Sequence, residues 1–160
     1  MVVGRFLGMV GALIWDPSQD RYLILKRSGK KDFARNIWEC GTGRVDQGES
    51  FTSALMREIK EELDVEIQID FIIGTTHFYR GEKVPHNEML GIYYSCRLGE
   101  GEVITLSWEH SESRWVTIDE AEALLSRKNW LVRLMERADK IRLLMPKDLV
   151  QFHQEFGFEC

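Results

Sequence analysis

Apolar positions along the chain predict an alternation of strands and helices. Residues 6–15 are apolar and carry spaced glycines, and after a polar turn residues 21–26 resume the apolar pattern. Two strands joined by a turn are the natural interpretation of this pattern. Further strands are predicted at residues 37–46, 65–79, 89–96 and 113–118. The first two thirds of the chain are therefore expected to be rich in strands.

Helical periodicity is clearest at residues 50–63. Leu55, Ile59 and Leu63 recur at i, i+4 and i+8, and Ser50 can cap the start of the helix. C-terminal helices are predicted at about 119–126, 130–138 and 146–156. A length of 160 residues suits one domain, and the chain contains no repeat or interdomain linker. We therefore expect a single domain over residues 1–160, with a C-terminal helical region at about 119–156.

Composition and charge exclude several classes of protein. The chain is 44% hydrophobic and 29% charged, which is ordinary for a folded globular protein. Its net charge of −5 counts against nucleic-acid binding, since that function usually requires a basic face. The three cysteines include no Cys-x-x-Cys pair, which argues against disulfides and a zinc site. No uncharged run reaches membrane-spanning length, so we expect a cytoplasmic protein without membrane or nucleic-acid partners.

Three glutamates give the predicted helix at residues 50–63 a candidate chemistry. Glu58, Glu61 and Glu62 stand at i, i+3 and i+4 and therefore share one helix face, whereas Lys60 points to the opposite side. Like charges at this spacing repel by roughly a few tenths of a kcal/mol per pair, so the carboxylates are expected to need a cation. Clustered carboxylates favour Mg²⁺, Mn²⁺ or Ca²⁺ over zinc, and bound Mg²⁺ readily takes phosphate oxygens as ligands. The cluster predicts phosphate chemistry, although taken alone it also fits a solvated charged helix face.

Residues upstream of the glutamates favour the metal-binding interpretation. Gly43, Glu49 and Arg57 stand at fixed spacings from them, in a pattern that arises by chance in roughly one chain per million. The segment 43–65 resembles the Nudix box of the MutT-like pyrophosphohydrolases: Gly, five residues, Glu, seven residues, then Arg-Glu-apolar-x-Glu-Glu-x-Gly-apolar.

The segment departs from the family pattern at two places. Asp64 stands where the box ends in glycine, and Asp tolerates the left-handed backbone that often follows a helix. Upstream, the chain reads Gly41-Thr42-Gly43 where many relatives read Pro-Gly-Gly. We expect no loss of chemistry from Asp64, and a reshaped loop from the second departure.

The resemblance implies an α/β/α sandwich with a mixed β-sheet and the box as a loop–helix–loop motif. It also implies that Mg²⁺, with Mn²⁺ as a substitute, is bound by the Thr42 carbonyl and by the box glutamates Glu58, Glu61 and Glu62. Arg57 would pair with Glu49 and, together with Gly43, hold these carboxylates in place. In similar enzymes a box glutamate, or a glutamate from a later loop, takes a proton from the attacking water.

Charged residues outside the box are further candidates. Similar proteins place a cation near Arg27 or Arg44 on substrate phosphate, and an exposed surface arginine is the alternative for each. Similar enzymes also place a glutamate in the loop before a late strand that carries a tryptophan. We favour Glu109 over Glu112 for this position, because a loop residue can swing toward a metal or water. For His110 we expect a surface role.

Aromatic residues have two interpretations. Trp38, Phe78 and Trp108 can stack on a base, but large aromatic residues lie more often in the core. Trp130 and the apolar residues around it in the predicted C-terminal helices look like core or a homodimer face.

The resemblance implies hydrolysis of a phosphoanhydride bond in a nucleoside-diphosphate-linked substrate, which agrees with the phosphate chemistry predicted from the glutamates. The short chain favours a nucleoside triphosphate or related nucleotide, whereas nucleotide sugars, ADP-ribose, dinucleoside polyphosphates and RNA caps stay open. One alternative is a nucleotide-binding module without catalysis, although such proteins usually lose box carboxylates. The other alternative is an isoprenyl diphosphate isomerase, which needs a catalytic cysteine, and Cys40 has no obvious partner for that role.

Overall fold

The computed structural model describes residues 5–30 and 34–159. Residues 1–4 of the predicted N-terminal apolar segment and Cys160 lie outside this range. The elements follow in the order β1 (Leu7–Asp16), β2 (Arg21–Arg27), β3 (Trp38–Glu39), β4 (Gly41–Arg44), α1 (Phe51–Leu63), β5 (Ile67–Tyr79), β6 (Glu88–Leu98), β7 (His110–Val116), α2 (Ile118–Leu125), α3 (Trp130–Leu144) and α4 (Lys147–Phe156).

Strand β1 is the centre of a mixed sheet. It runs parallel to β6 from Leu7 to Ile14 and antiparallel to β4, and its last two residues pair with β2. Strand β5 extends the sheet beyond β6, whereas β3 and β7 both pair with β2. Strands β1 and β2 therefore pair at the ends that adjoin their connecting turn. Farther from that turn, β4 pairs with β1 and β3 pairs with β2.

Helices cover both faces of this sheet. Because side chains alternate along a strand, Val10, Ala12 and Ile14 of β1 pack in the cluster that contains the apolar face of α1. Met9 and Leu13 pack in the other cluster, with the apolar face of α3. The expected α/β/α sandwich with a mixed sheet is therefore confirmed.

The box helix has the ends that its sequence predicts. The Ser50 hydroxyl accepts the Ser53 N–H at 3.1 Å and caps the start of α1. Asp64 ends the helix with φ 55°, in the left-handed region expected for the position of the family's glycine. Its carboxylate also pairs with Lys60 at 2.9 Å, a contact that a glycine at this position would lack.

Two predicted elements are shorter than the elements in the structure. Strand β7 begins at His110, not at residue 113, and α3 continues to Leu144, beyond residue 138. Residues 110–112 are polar, and Leu143 and Leu144 are exposed, so neither stretch carries the periodicity that marks a buried element. No helix in the described part of the chain is long and apolar enough to span a bilayer.

Candidate active site

A cleft of about 940 Å³ collects most of the predicted site residues. It lies where β2, the β3–β4 segment and α1 approach the turn before β7. Among its lining residues are Arg27, Thr42, Gly43, Arg44, Glu58, Phe78, Trp108 and Glu109. Residues that are 82 positions apart in the sequence, such as Arg27 and Glu109, therefore face the same space.

Gly43 is required by the close approach of the box loop to α1. A Cβ atom at this position would lie 1.9 Å from Cδ of Glu58, so a larger residue would displace the Glu58 side chain from its present position. The next backbone N–H, that of Arg44, donates to Glu58 Oε1 at 3.0 Å. The first box glycine therefore allows the Glu58 carboxylate to lie against the loop backbone.

Arg57 links the box loop to the acidic face of α1. Its Nε and Nη2 atoms donate to the two oxygens of Glu49 at 2.7 and 2.8 Å, a bidentate pair. Its Nη1 donates to Glu58 at 3.0 Å and to Glu61 at 3.3 Å, and Nη2 also reaches the Arg44 carbonyl at 2.9 Å. The negative charge of the helix face is therefore partly compensated within the chain, because Arg57 contacts two of the three glutamates.

This arginine also perturbs the ionisation of Glu49. Hydrogen bonds from the Arg57 side chain, and a smaller contribution from the Asp46 backbone, lower the Glu49 pKa to about 2 from its ordinary 4.5. The pKa of Arg57 is raised in turn, chiefly by the hydrogen bonds to Glu49. The pair therefore stays charged throughout the physiological pH range.

The three box glutamates lie in different environments. Glu62 is only 2% exposed and its Oε2 accepts the Thr42 N–H at 3.2 Å. Glu58 is largely buried against the loop, whereas Glu61 is mostly exposed. The same helix face therefore carries one buried, one largely buried and one exposed carboxylate, those of Glu62, Glu58 and Glu61 respectively.

The donor set fits a hard divalent cation by its chemistry, since all of its atoms are carboxylate or carbonyl oxygens. The side chains are not gathered into a ready-made ligand shell. Within the described residues, no three His, Cys, Asp or Glu side chains are placed so that they could hold an ion. Glu58 and Glu62 instead accept backbone N–H groups, which a cation would have to replace or share.

The turn that carries Glu109 is tied to two parts of the cleft by its backbone. The Ser107 N–H donates to the Glu62 carbonyl at 2.9 Å, and the Ser28 N–H donates to the Glu109 carbonyl at 2.7 Å. Glu112 lies instead within β7, where it pairs with Arg114 at 2.5 Å. Glu109 therefore lines the cleft as expected, whereas Glu112 is held by a neighbour on its own strand.

Arg27 is a cleft residue and not an exposed surface arginine. It is 9% exposed, and its Nη1 donates to both oxygens of Glu39 at 3.0 and 3.1 Å. His110 is 4% exposed and its Nε2 lies 3.0 Å from Glu39 Oε1, so the expected surface role of His110 is wrong. Sequence reasoning missed Glu39 altogether, although a charged residue between Trp38 and Cys40 in an apolar strand was a signal for it.

Aromatic residues form part of the cleft wall. Phe78 and Trp108 line it and are partly exposed, which keeps base stacking open as a prediction for both. Trp38 is not among the lining residues, and the Arg114 guanidinium lies 5.0 Å from the centre of its ring. Trp130, expected as core or dimer face, also lines the cleft and packs 5.7 Å from the Tyr93 ring.

Comparison with known proteins places this geometry in a family. The family model of the NUDIX domain matches residues 6–138. The MutT protein from Methanosarcina mazei Go1 has a similar structure, with a TM-score of 0.72 over 89% of this chain and 99% of that chain, at 22% identity. At that identity the likeness concerns the fold.

Two relatives are similar in sequence. The NAD-capped RNA hydrolase NudC of Stutzerimonas stutzeri is 30% identical over 128 residues, which cover 80% of this chain and 44% of that protein. The RNA pyrophosphohydrolase of Campylobacter jejuni subsp. doylei is 32% identical over 103 residues, or 60% of this chain and 64% of that protein. The chain therefore spans less than two thirds of the length of either relative.

The Arg57–Glu49 pair predicts a specific pH dependence of stability. The folded-state pKa of Glu49 is about 2 and its ordinary value is 4.5, so its stabilisation is complete above about pH 4.5 and is lost as the pH falls toward about 2. Glu49→Gln removes this contribution at every pH. We expect urea unfolding to show a stability difference between wild type and Glu49→Gln that is largest near pH 6 and shrinks steadily below about pH 4.

Glu100→Gln is the matched control, since Glu100 is exposed in the turn after β6. This variant should follow the wild type across the same pH range. A stability difference for Glu49→Gln that stays constant from neutral to acid pH would contradict the assigned pair.

Proposed function

Because this chain belongs to the Nudix family of hydrolases, we propose that it cleaves a phosphoanhydride bond in a nucleoside-diphosphate-linked substrate with the help of a divalent metal. The observation that carries the proposal is that positively and negatively charged side chains line the same cleft. Arg27 and Arg44 supply positive charge, Glu58 belongs to the acidic helix face, and Glu109 is a carboxylate on a turn. Cations beside carboxylates suit a polyanionic substrate that is attacked by water.

The proposed reaction divides these tasks among the chain's own residues. Arg27 and Arg44 bind the negative charge of the phosphates and orient them in the cleft. Glu109 accepts the proton of a water whose oxygen forms a new bond to phosphorus, while the bridging P–O bond breaks and its oxygen leaves with the departing phosphate. Arg57 holds the box loop against the helix carboxylates during the reaction.

The metal is proposed as Mg²⁺, with Mn²⁺ as a substitute. Its ligands would be the Thr42 carbonyl and the box glutamates Glu58, Glu61 and Glu62, all of which offer hard oxygen atoms. When bound there, the ion supplies charge neutralisation for the phosphates and a lower pKa for a coordinated water.

The proposed substrate is a nucleoside triphosphate or a related nucleotide. The aromatic residues Phe78, Trp108 and Trp130 line the same cleft as the cations, which suits a ligand with a flat ring and an anionic tail. The two relatives are named for activity on NAD-capped RNA and on RNA pyrophosphate groups. Nucleotides joined to RNA therefore belong among the candidates, although the net charge of −5 disfavours extended contact with an RNA chain.

The alternative enzyme class has little support. An isomerase on this scaffold would need a reactive cysteine, and Cys40 is completely buried. Burial also raises the pKa of its thiol well above the ordinary value, which disfavours the thiolate. A binding module without catalysis is separated from a hydrolase by turnover alone.

A metal-supplemented substrate panel tests the proposed function. Nucleoside triphosphates, NAD, dinucleoside polyphosphates, nucleotide sugars, triphosphorylated RNA and NAD-capped RNA are incubated with the protein and Mg²⁺, and the products are identified by mass. We expect turnover of at least one nucleotide, its loss after chelation, and its return with Mg²⁺ or Mn²⁺. Turnover that survives thorough chelation would refute the metal mechanism, and binding without turnover would favour the binding module.

Replacement of Glu62 tests the acidic helix face. Glu62→Gln keeps the size of the side chain but removes a charge proposed to bind metal, so we expect kcat to fall at least about 100-fold, which is about 3 kcal/mol of transition-state stabilisation. Glu66→Gln, just beyond the helix and exposed, is the control and should keep the wild-type kcat. An unchanged kcat in folded Glu62→Gln would exclude Glu62 as a metal ligand and leave it a buried structural carboxylate.

A comparison of Glu109 with Glu112 tests the assignment of the proton acceptor. We expect Glu109→Gln to lower kcat by roughly 100-fold or more, with little change in melting temperature. Glu112→Gln should retain nearly full activity, because its carboxylate is paired with Arg114 on β7. If Glu112→Gln is the slower enzyme, the assignment is reversed, and if neither variant slows, neither residue takes the proton.

A further inference from the structure

A buried polar cluster joins the separate parts of the proposed reaction. Its centre is the carboxylate of Glu39, which is 5% exposed and lines the cleft. Arg27 Nη1 donates to both of its oxygens, His110 Nε2 lies 3.0 Å from Oε1, and the Thr42 hydroxyl donates to Oε2 at 3.4 Å. Three side chains from three different strands therefore converge on one carboxylate.

Each of these contacts leads to a different part of the site. Arg27 is the proposed phosphate-binding cation, and Thr42 is the residue whose carbonyl is proposed as a metal ligand. His110 directly follows Glu109, the proposed proton acceptor, and it pairs with Arg27 between β7 and β2. Each of these three residues that contact Glu39 is therefore a proposed functional residue or the direct neighbour of one.

Burial makes these contacts restrictive. A buried charge is tolerated only when it is paired and hydrogen-bonded, so the Glu39 carboxylate and the Arg27 guanidinium hold each other in one arrangement. The ring of His110 is completely buried, and its Nε2 lies within hydrogen-bond distance of Glu39 Oε1, with the imidazole N–H as donor and the carboxylate as acceptor. The orientation of the His110 ring is therefore set by Glu39, and the ring position constrains the adjoining residue of the turn.

We propose that Glu39 is a positioning residue for the hydrolysis, acting on Arg27 directly and on Glu109 through His110. This inference rests on the proposed function. It assigns two separable effects to one carboxylate: orientation of the cation that binds phosphate, and placement of the turn that carries the proton acceptor. Loss of the first weakens substrate binding, and loss of the second slows the chemical step.

A matched control exists elsewhere in the fold. Asp70 is also 5% exposed, and its carboxylate accepts hydrogen bonds from Arg97 at 2.7 to 3.0 Å, but neither residue lines the cleft. Removing the charge of Asp70 therefore disturbs a second buried carboxylate that is paired with a guanidinium, here one that is 34% exposed, without touching the site. Any consequence of such a pair for stability alone should appear in both variants.

The first experiment compares Glu39→Gln with Asp70→Asn, using Mg²⁺ and the best nucleotide of the panel. Both variants are expected to melt at lower temperature than the wild type. Glu39→Gln should lower kcat roughly 10- to 100-fold and also raise KM, whereas Asp70→Asn should stay within about twofold of the wild type in both constants. Equal kinetics in the two folded variants would overturn the proposal and reduce Glu39 to a structural ion pair.

The second experiment tests the path to Glu109 while leaving the Arg27–Glu39 pair in place, and it remains decisive if Glu39→Gln does not fold. His110→Leu removes the donor and should lower kcat roughly tenfold or more with little change in KM. His110→Gln retains an N–H donor near the position of Nε2 and should recover most of that loss. In a Glu109→Gln background, His110→Leu should have almost no further effect, because both changes act on the same step.

Failure of this inference differs from failure of the proposed function. A wild-type protein that turns over no nucleotide of the panel refutes both. Metal-dependent turnover in the wild type, together with equal kcat values for His110→Leu and His110→Gln, refutes only the positioning role.

Discussion

The interaction on which the site depends is the set of hydrogen bonds made by Arg57. One guanidinium joins the loop carboxylate Glu49, the loop backbone at Arg44 and two glutamates of α1. Without it, the loop would have no charged attachment to a helix face that carries three negative charges. With it, the loop lies so close to α1 that a side chain at position 43 would displace the Glu58 carboxylate. The fixed spacing of arginine, glutamate and glycine in the box therefore reflects one packing constraint.

The rest of the fold connects the box helix and its loop to site residues that are distant in the sequence. Strand β1 contributes one face to the core beneath α1 and the other to the core beneath α3, so the box helix is packed directly on the central strand. The backbone of Glu62 then anchors the turn at Ser107, which brings Glu109 to the cleft. Arg27 arrives from the end of β2, and Glu39 ties it to this turn through His110.

Features of the site that depend on residues close together in the sequence were predictable. The ends of α1 were predictable because Ser50 caps the helix within three residues and Asp64 occupies a position that demands a left-handed backbone. Glu39 and His110 were not predictable in the same way, since they meet across 71 residues and each looks like an ordinary polar residue in a strand. Trp130 begins a helix with an apolar face, and only the folded chain shows that its ring turns toward the cleft. The buried contact between Glu39 and His110 and the position of Trp130 in the cleft wall therefore required the structure.

The most direct test of the account is hydrolysis of the preferred panel nucleotide with Mg²⁺ in water enriched in oxygen-18. If water attacks phosphorus in this cleft, one labelled oxygen should appear in one phosphate-containing product, and the position of the label identifies the phosphorus attacked. With the metal chelated, no products and therefore no labelled phosphate should form. Products that form with Mg²⁺ but carry no label on a phosphate would contradict hydrolysis at phosphorus, and with it the central claim.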